Sequence, residues 1–169
     1  MSIAYRDGSP GDGKAVADLF RESFIATFGH LYAPEDLDAF LVGLTTEAFE
    51  EELANQDFHF RLAEDGGALA GFAKLGPDNL PGEKLPDTIE LYQLYVLEPW
   101  KGQGIARELM DWAISQGRRR GARHLTLTVY IDNHRARRFY EKYGFEEVGK
   151  YTFMVGNHAD DDRIMRLAL

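Results

Sequence analysis

Cysteine is absent from the chain. That removes disulfides, thiolate-ligated zinc and a covalent thiol-enzyme intermediate, so any group transfer is expected to be direct. Long apolar runs are missing as well. None approaches the ~20 residues needed to cross a bilayer, and the opening MSIAYRDGSP has neither the basic nor the apolar region of a secretory signal. The expectation is a soluble, cytoplasmic protein with no membrane partner. With no repeats, low-complexity tracts or long linkers, residues 1–169 are expected to form one domain, and 44% apolar and 12% aromatic residues suffice for its core. No metal site is expected: His30, His59, His124, His134 and His158 lack HxH or HExxH spacing, and Asp160, Asp161 and Asp162 read as a solvated hairpin tip.

Positive charge is scarce in one half only. Residues 1–90 carry 6 Lys/Arg against 18 Asp/Glu, a balance of −12, whereas residues 91–169 carry 13 against 10, a balance of +3. An acidic half argues against a nucleic-acid surface and for cationic partners, and the Arg-rich half can hold an anion. A solvated acidic surface that aids solubility is the simpler account of the same numbers.

A short strand is read at Ile3–Arg6, and SPGDG opens a helix with Val16, Leu19, Phe20 and Phe24 along one side. Pro34 starts a second helix, with Glu35 and Asp36 complementing its dipole and Leu37, Phe40 and Leu41 as its apolar face; TTEAFEEELA continues as a third. From residue 58 the period changes to two. FHFRLAED and ALAGFAKLG are strands joined by a glycine turn, and TIELYQLYVL follows after a Pro/Gly-rich loop. A helix over 104–117, the strand HLTLTVYI, a short helix closed by Gly144, and the strands FEEVGKYTFMVG and RIMRLAL complete the chain. The fold class is α/β (α+β mixed): a twisted, mostly antiparallel central sheet flanked by helices, with one βαβ crossover.

That crossover contains KGQGIA, two glycines between a strand and a helix with no intervening loop. Glycines there let the backbone approach a bulky ligand, and a helix start aims free N–H groups and the positive dipole end at the same spot, which suits a pyrophosphate. No Gly-Lys-Ser/Thr follows, and Arg107 occupies the last position of a GxGxxG pattern, so neither dinucleotide motif is present. A tight turn without a ligand accounts for the glycines alone.

The flanking residues decide between these readings. LYQLYVLEPWKGQGIARELM resembles motif A of the GCN5-related N-acetyltransferases (GNAT), reading Lys101-Gly102-Gln103-Gly104-Ile105-Ala106, with Lys101 where that family usually has Gln or Arg. NHRARRFYEKYGFEEVG is similar to the family's motif B, with Asn133, Ala136, Phe139, Tyr140, Gly144 and Phe145 in place. The resemblance implies the acyl-CoA N-acyltransferase fold and acetyl-CoA as the acetyl-donating cosubstrate. Leu94, Tyr95 and Val96 would pair with the pantetheine arm, the segment Lys101, Gly102, Gln103, Gly104, Ile105, Ala106 and Arg107 would hold the pyrophosphate, Asn133 would bond the pantetheine, and Arg137 or Arg138 would meet CoA phosphates. Tyr140 would protonate the departing thiolate. Because an alkylammonium titrates near ~10 and has no lone pair, a base or water chain is required as well. Glu90 is the best-placed carboxylate, with Tyr92 on the same face and Tyr32 as a further candidate.

On the acceptor side, ESFIATFGHLYAPEDLDAFL looks like the corresponding region of PaiA-type spermidine/spermine N-acetyltransferases, which with the acidic N-terminal half implies a small cationic amine held near Phe28, Tyr32 and Tyr92. Phe24, Phe28 and Tyr32, four apart, equally describe a core-facing helical stripe. The alternatives are a protein or peptide N-acetyltransferase and a non-catalytic acyl-CoA-binding sensor; a homodimer is a further expectation.

Overall fold

The computed structural model describes residues 2–169. The chain runs β1 (Ile3–Asp7), α1 (Gly13–Phe28), α2 (Pro34–Leu41), α3 (Thr46–Ala54), β2 (His59–Asp65), β3 (Ala68–Pro77), β4 (Thr88–Val96), α4 (Ile105–Arg119), β5 (His124–Tyr130), α5 (His134–Tyr143), β6 (Glu146–Val155) and β7 (His158–Ala168). The seven strands form one sheet in the order β1-β2-β3-β4-β5-β7-β6, antiparallel at every junction except β4–β5.

The parallel junction follows from the connection: α4 carries the chain from the end of β4 back to the start of β5, so both strands run the same way. In α4 the apolar stripe Ile105, Leu109, Met110, Ala113 and Gly117 is buried. It covers one sheet face together with α5, over a core that includes Leu75, Leu125 and Leu127. The opposite face is covered by α1–α3, where Val16, Phe20, Phe24 and Phe49 pack on Phe60, Phe72 and Tyr95. Truncating one of these buried rings to Ala removes packing worth about 3–5 kcal/mol. Thr45 starts α3 by accepting a hydrogen bond from the Ala48 N–H (3.1 Å), as an N-cap residue does.

The last hairpin departs from expectation. Its turn lies at Gly156–Asn157, and β7 begins at His158, so Asp160, Asp161 and Asp162 are strand residues. Asp160 and Asp162 are buried, 5% and 7% exposed. Three successive acids read as a loop because charge favours solvent. Pairing of β7 with β5 on one side and β6 on the other overrides that preference. The hairpin tip is seated on α2, where the Asn157 N–H donates to Asp36 Oδ1 (2.9 Å).

Candidate active site

The site begins where two strands part. β4 pairs with β3 as far as Gly71↔Val96, but pairs with β5 only at Thr88↔His124, Ile89↔Leu125 and Glu90↔Thr126. On the β3 side, Lys74 faces Gln93 while Leu75 faces Leu91, so Tyr92 is the extra residue of a bulge. A bulge bends and twists its strand. Past Glu90 the two strands diverge, and one edge of residues 91–96 has no strand partner among the described residues. An open edge of this kind can receive an extended amide-bearing chain as if it were another strand.

A cavity of about 520 Å³ occupies the split. At one end lie Leu94, Tyr95 and Val96, and beside them the turn that starts α4. Gly102 and Gly104 both have positive φ, +81° and +83°, and a Cβ built on either would meet nothing within 4 Å. The glycines are there for backbone conformation and close approach, not to relieve a clash. Gly104 caps α4 in the left-handed conformation and its carbonyl accepts the Glu108 N–H at 3.0 Å. The N–H groups of the first turn are free, as at any helix start, and with the dipole they form an anion cradle that fits a pyrophosphate. Lys101, Ile105, Ala106 and Arg107 line the cavity here, and Lys101 is paired at 2.9 Å with the exposed Glu98. Gln103 is turned back to the Pro99 carbonyl (3.4 Å) and is not part of the lining.

Motif B forms the other wall of the split. Asn133 caps α5, its Oδ1 accepting from the Ala136 N–H at 3.3 Å, which leaves the amide NH₂ as a donor toward a ligand. Ala136, Phe139 and Tyr140 line the cavity from successive turns of α5. The Tyr140 ring packs edge-on against Phe139 and Phe145, at 5.6 and 5.8 Å between centroids. Burial pushes its phenol up to about 12, so it holds its proton throughout the neutral range. The arginines sort differently from the expectation. Arg137 donates to the Ile131 carbonyl (3.1 Å) and to Glu147 (3.2 Å), tying α5 to the sheet, and neither it nor Arg138 lines the cavity. Arg135 does, one turn before Phe139. A helical spacing of four from Phe139 is the signal that singles it out.

The acceptor end is aromatic and acidic. Phe24 and Tyr32 stack at 5.8 Å, Phe28 meets Tyr130 edge-on at 6.2 Å, and all four line the cavity with Phe153. Asp160 and Asp162 open onto the same space. Tyr32 donates to Asp160 Oδ2, and His158 Nε2 lies 3.2 Å from Asp160 Oδ1. Burial, reinforced by Asp160, holds the Tyr32 phenol well above its usual range. Tyr92 also lines the cavity, but its hydroxyl donates to the Pro77 carbonyl. Glu90 does not line it. It is buried at the closed end of the split, where Oε1 accepts the Asn79 N–H (2.9 Å) from the loop after β3. Burial, with a smaller push from Asp78, raises its carboxyl to about 7 against the pull of Asn79, Lys84 and Lys74. The base expected on β4 is thus covered by a loop that no sequence pattern places there.

The model of the acetyltransferase (GNAT) family matches residues 14–145. An uncharacterized N-acetyltransferase of Mycobacterium tuberculosis is 33% identical over 157 residues, spanning 91% of this chain and 96% of its own. Another, from Lactobacillus delbrueckii subsp. lactis, is 28% identical over 153 residues, 89% and 88% of the two chains. Among solved structures, the PaiA N-acetyltransferase from Thermoplasma acidophilum in complex with coenzyme A superposes with a TM-score of 0.80 over the whole of both chains at 24% identity, a likeness of fold. With the family model matched from α1 to the start of β6 and relatives aligned nearly end to end, the chain belongs to the GNAT family and is an acetyl-CoA-dependent N-acetyltransferase.

Proposed function

We propose that the acceptor is a small cationic primary amine, with polyamines as the class that suits the site best, acetylated directly in a ternary complex. One observation carries the reading: the cavity ends in two buried carboxylates, Asp160 and Asp162, set among the rings of Phe24, Phe28, Tyr32 and Tyr130. Carboxylates and aromatic faces both attract alkylammonium groups, and both act more strongly where water is excluded.

In this reading the donor's pantetheine lies along residues 94–96 and its pyrophosphate in the turn from Lys101 to Arg107, so that the thioester arrives between Asn133 and Tyr140. The amine approaches from the α1–β7 side. Its nitrogen, once neutral, attacks the thioester carbonyl; the C–N bond forms, the C–S bond breaks, and Tyr140 supplies a hydrogen bond or a proton to the sulfur. With no cysteine in the chain, an acetyl-thioester on the enzyme is excluded, in keeping with direct transfer.

The test is release of free thiol from acetyl-CoA across polyamines, amino acids, aminoglycosides and short peptides. Polyamines should give the highest kcat/KM, and acceptor KM should rise with ionic strength beyond any change in the KM for acetyl-CoA. Preference for neutral or anionic acceptors would sink the cationic reading, and peptides outcompeting small amines would move the assignment to protein N-terminal acetylation.

A further inference from the structure

We propose that Asp162 is the group that takes the proton from the acceptor ammonium, while Asp160 positions the cation beside it. This rests on the acceptor being an amine bound at the β7 end of the cavity. Glu90 accepts a backbone N–H under the loop after β3 and does not line the cavity. Tyr32 is itself a donor, to Asp160. Asp160 has Tyr32 on one carboxylate oxygen and His158 on the other. Asp162 differs from all three. It lines the cavity and is 7% exposed, and among the described residues no hydrogen bond reaches its carboxylate.

A carboxylate so far removed from bulk water is costly to hold charged without a donor, and its oxygens face the cavity and not protein groups. Asp160 and Asp162, two apart on β7, share one face of the strand. Tyr95, Tyr140 and Asp162 line the same cavity, and burial, with smaller pushes from Tyr140 and Asp162, holds the Tyr95 phenol above its usual range. The charged and titratable neighbours of Asp162 are Asp160 and Asp161 on its own strand, Tyr130 on β5 and Tyr151 on β6 in register with it, and Tyr32 and Tyr95 across the cavity. Arg163 is the adjacent cation, but its guanidinium is engaged by Asp161 and Glu147. Burial first, then Asp160 and Asp161, raise the Asp162 carboxyl to about 7, the range in which a general base operates best near neutral pH.

The protons balance as follows. Asp162 removes one proton from the bound ammonium, freeing the lone pair, and later releases it to water. After attack, the nitrogen still carries one proton too many for an amide. That proton ends on the departing sulfur, to which the Tyr140 hydroxyl donates a hydrogen bond, so the sum is ammonium plus thioester to amide, thiol and one released proton.

The experiment is the pH profile of kcat/KM, using the fastest amine of the panel above, for the wild type, Asp162→Asn, Asp162→Glu and Glu90→Gln. The wild type should show an acidic limb with an apparent pKa near 7, that of Asp162. Asp162→Asn should lower kcat by about 10²- to 10⁴-fold and abolish that limb, with acetyl-CoA affinity by calorimetry unchanged and a melting temperature no lower than that of the wild type. Asp162→Glu should restore the limb at reduced kcat. An Asp162→Asn enzyme that keeps the limb and loses only in KM would make Asp162 a cation ligand and overturn the proposal. So would a limb that persists in Asp162→Asn and vanishes in Glu90→Gln. Failure of the wild type to turn over any amine would instead sink the acceptor reading, and the base assignment with it.

Discussion

Replacing Tyr140 by Phe removes one hydroxyl from the wall of the cavity and leaves the ring that packs on Phe139 and Phe145. Among the described residues no protein group is hydrogen-bonded to that hydroxyl, so its loss orphans nothing and the melting temperature should hold. The kinetic effect follows from two acidities. The phenol sits at about 12, whereas a free alkyl thiol titrates near ~8.5, so complete proton transfer to the sulfur is uphill by about 3.5 units before the cavity raises the thiol as well. A hydrogen bond to the developing thiolate is therefore the larger contribution. Hydrogen bonds to charged groups contribute about 1.5–3 kcal/mol, and at 1.36 kcal/mol per decade kcat should fall by roughly 10- to 150-fold. Single-turnover thiol release, with acetyl-CoA affinity measured separately, reads this directly. A loss near ~10⁴-fold would mean full proton transfer at the upper limit of general acid catalysis. Turnover within twofold of wild type at matched melting temperature would refute the role and leave Tyr140 as packing. Because the phenol stays protonated across the assay range, the variant should keep the acidic limb of the pH profile.

Three further outcomes follow from the same structure. Gly104→Val forces a branched side chain into φ +83° at the start of α4 and should weaken acetyl-CoA binding at least tenfold by calorimetry; unchanged affinity would remove the cradle from the donor site. Gly156→Ala places a Cβ 2.6 Å from the Asp36 Cα at φ +58°. With about 1–2 kcal/mol for the left-handed backbone and about 1–3 for overpacking, it should lower the melting temperature by at least about 4 °C at roughly 2–4 °C per kcal/mol, and an unchanged melting temperature would mean that the hairpin is not seated on α2. The Asp162 carboxyl at about 7, against ~3.9 in an unfolded chain, means that the folded state holds the extra proton between those values. Its contribution to stability is therefore full below about pH 4 and is lost as pH rises through 7. Asp162→Asn should flatten the decline in melting temperature between pH 5 and 8, and an unaltered slope would show that Asp162 does not titrate there.

What the sequence determined by itself is the donor half of the site. The strand, glycine turn and helix of KGQGIA, and the capped helix of NHRARRFY, are specified by local backbone preferences and by side chains a few residues apart. Local preference accounts for the turn and the cap alone; the roles expected of Lys101 to Arg107, Asn133 and Tyr140 come from the resemblance of those segments to the two family motifs. The order of elements is legible too, since period two and period 3.6 are properties of single segments. The acceptor half was decided only by the tertiary structure. Tyr32 meets Asp160 across 128 residues of sequence. Whether Asp160 and Asp162 are a wet turn or a buried pair depends on β7 being sandwiched between β5 and β6 beneath the aromatic face of α1. The fate of Glu90 depends on a loop folding over it, and the sorting of Arg135 from Arg137 depends on which side of α5 faces the split. Burial and the perturbed acidities that come with it belong to neighbours distant in the chain, and no local pattern of residue types specifies them.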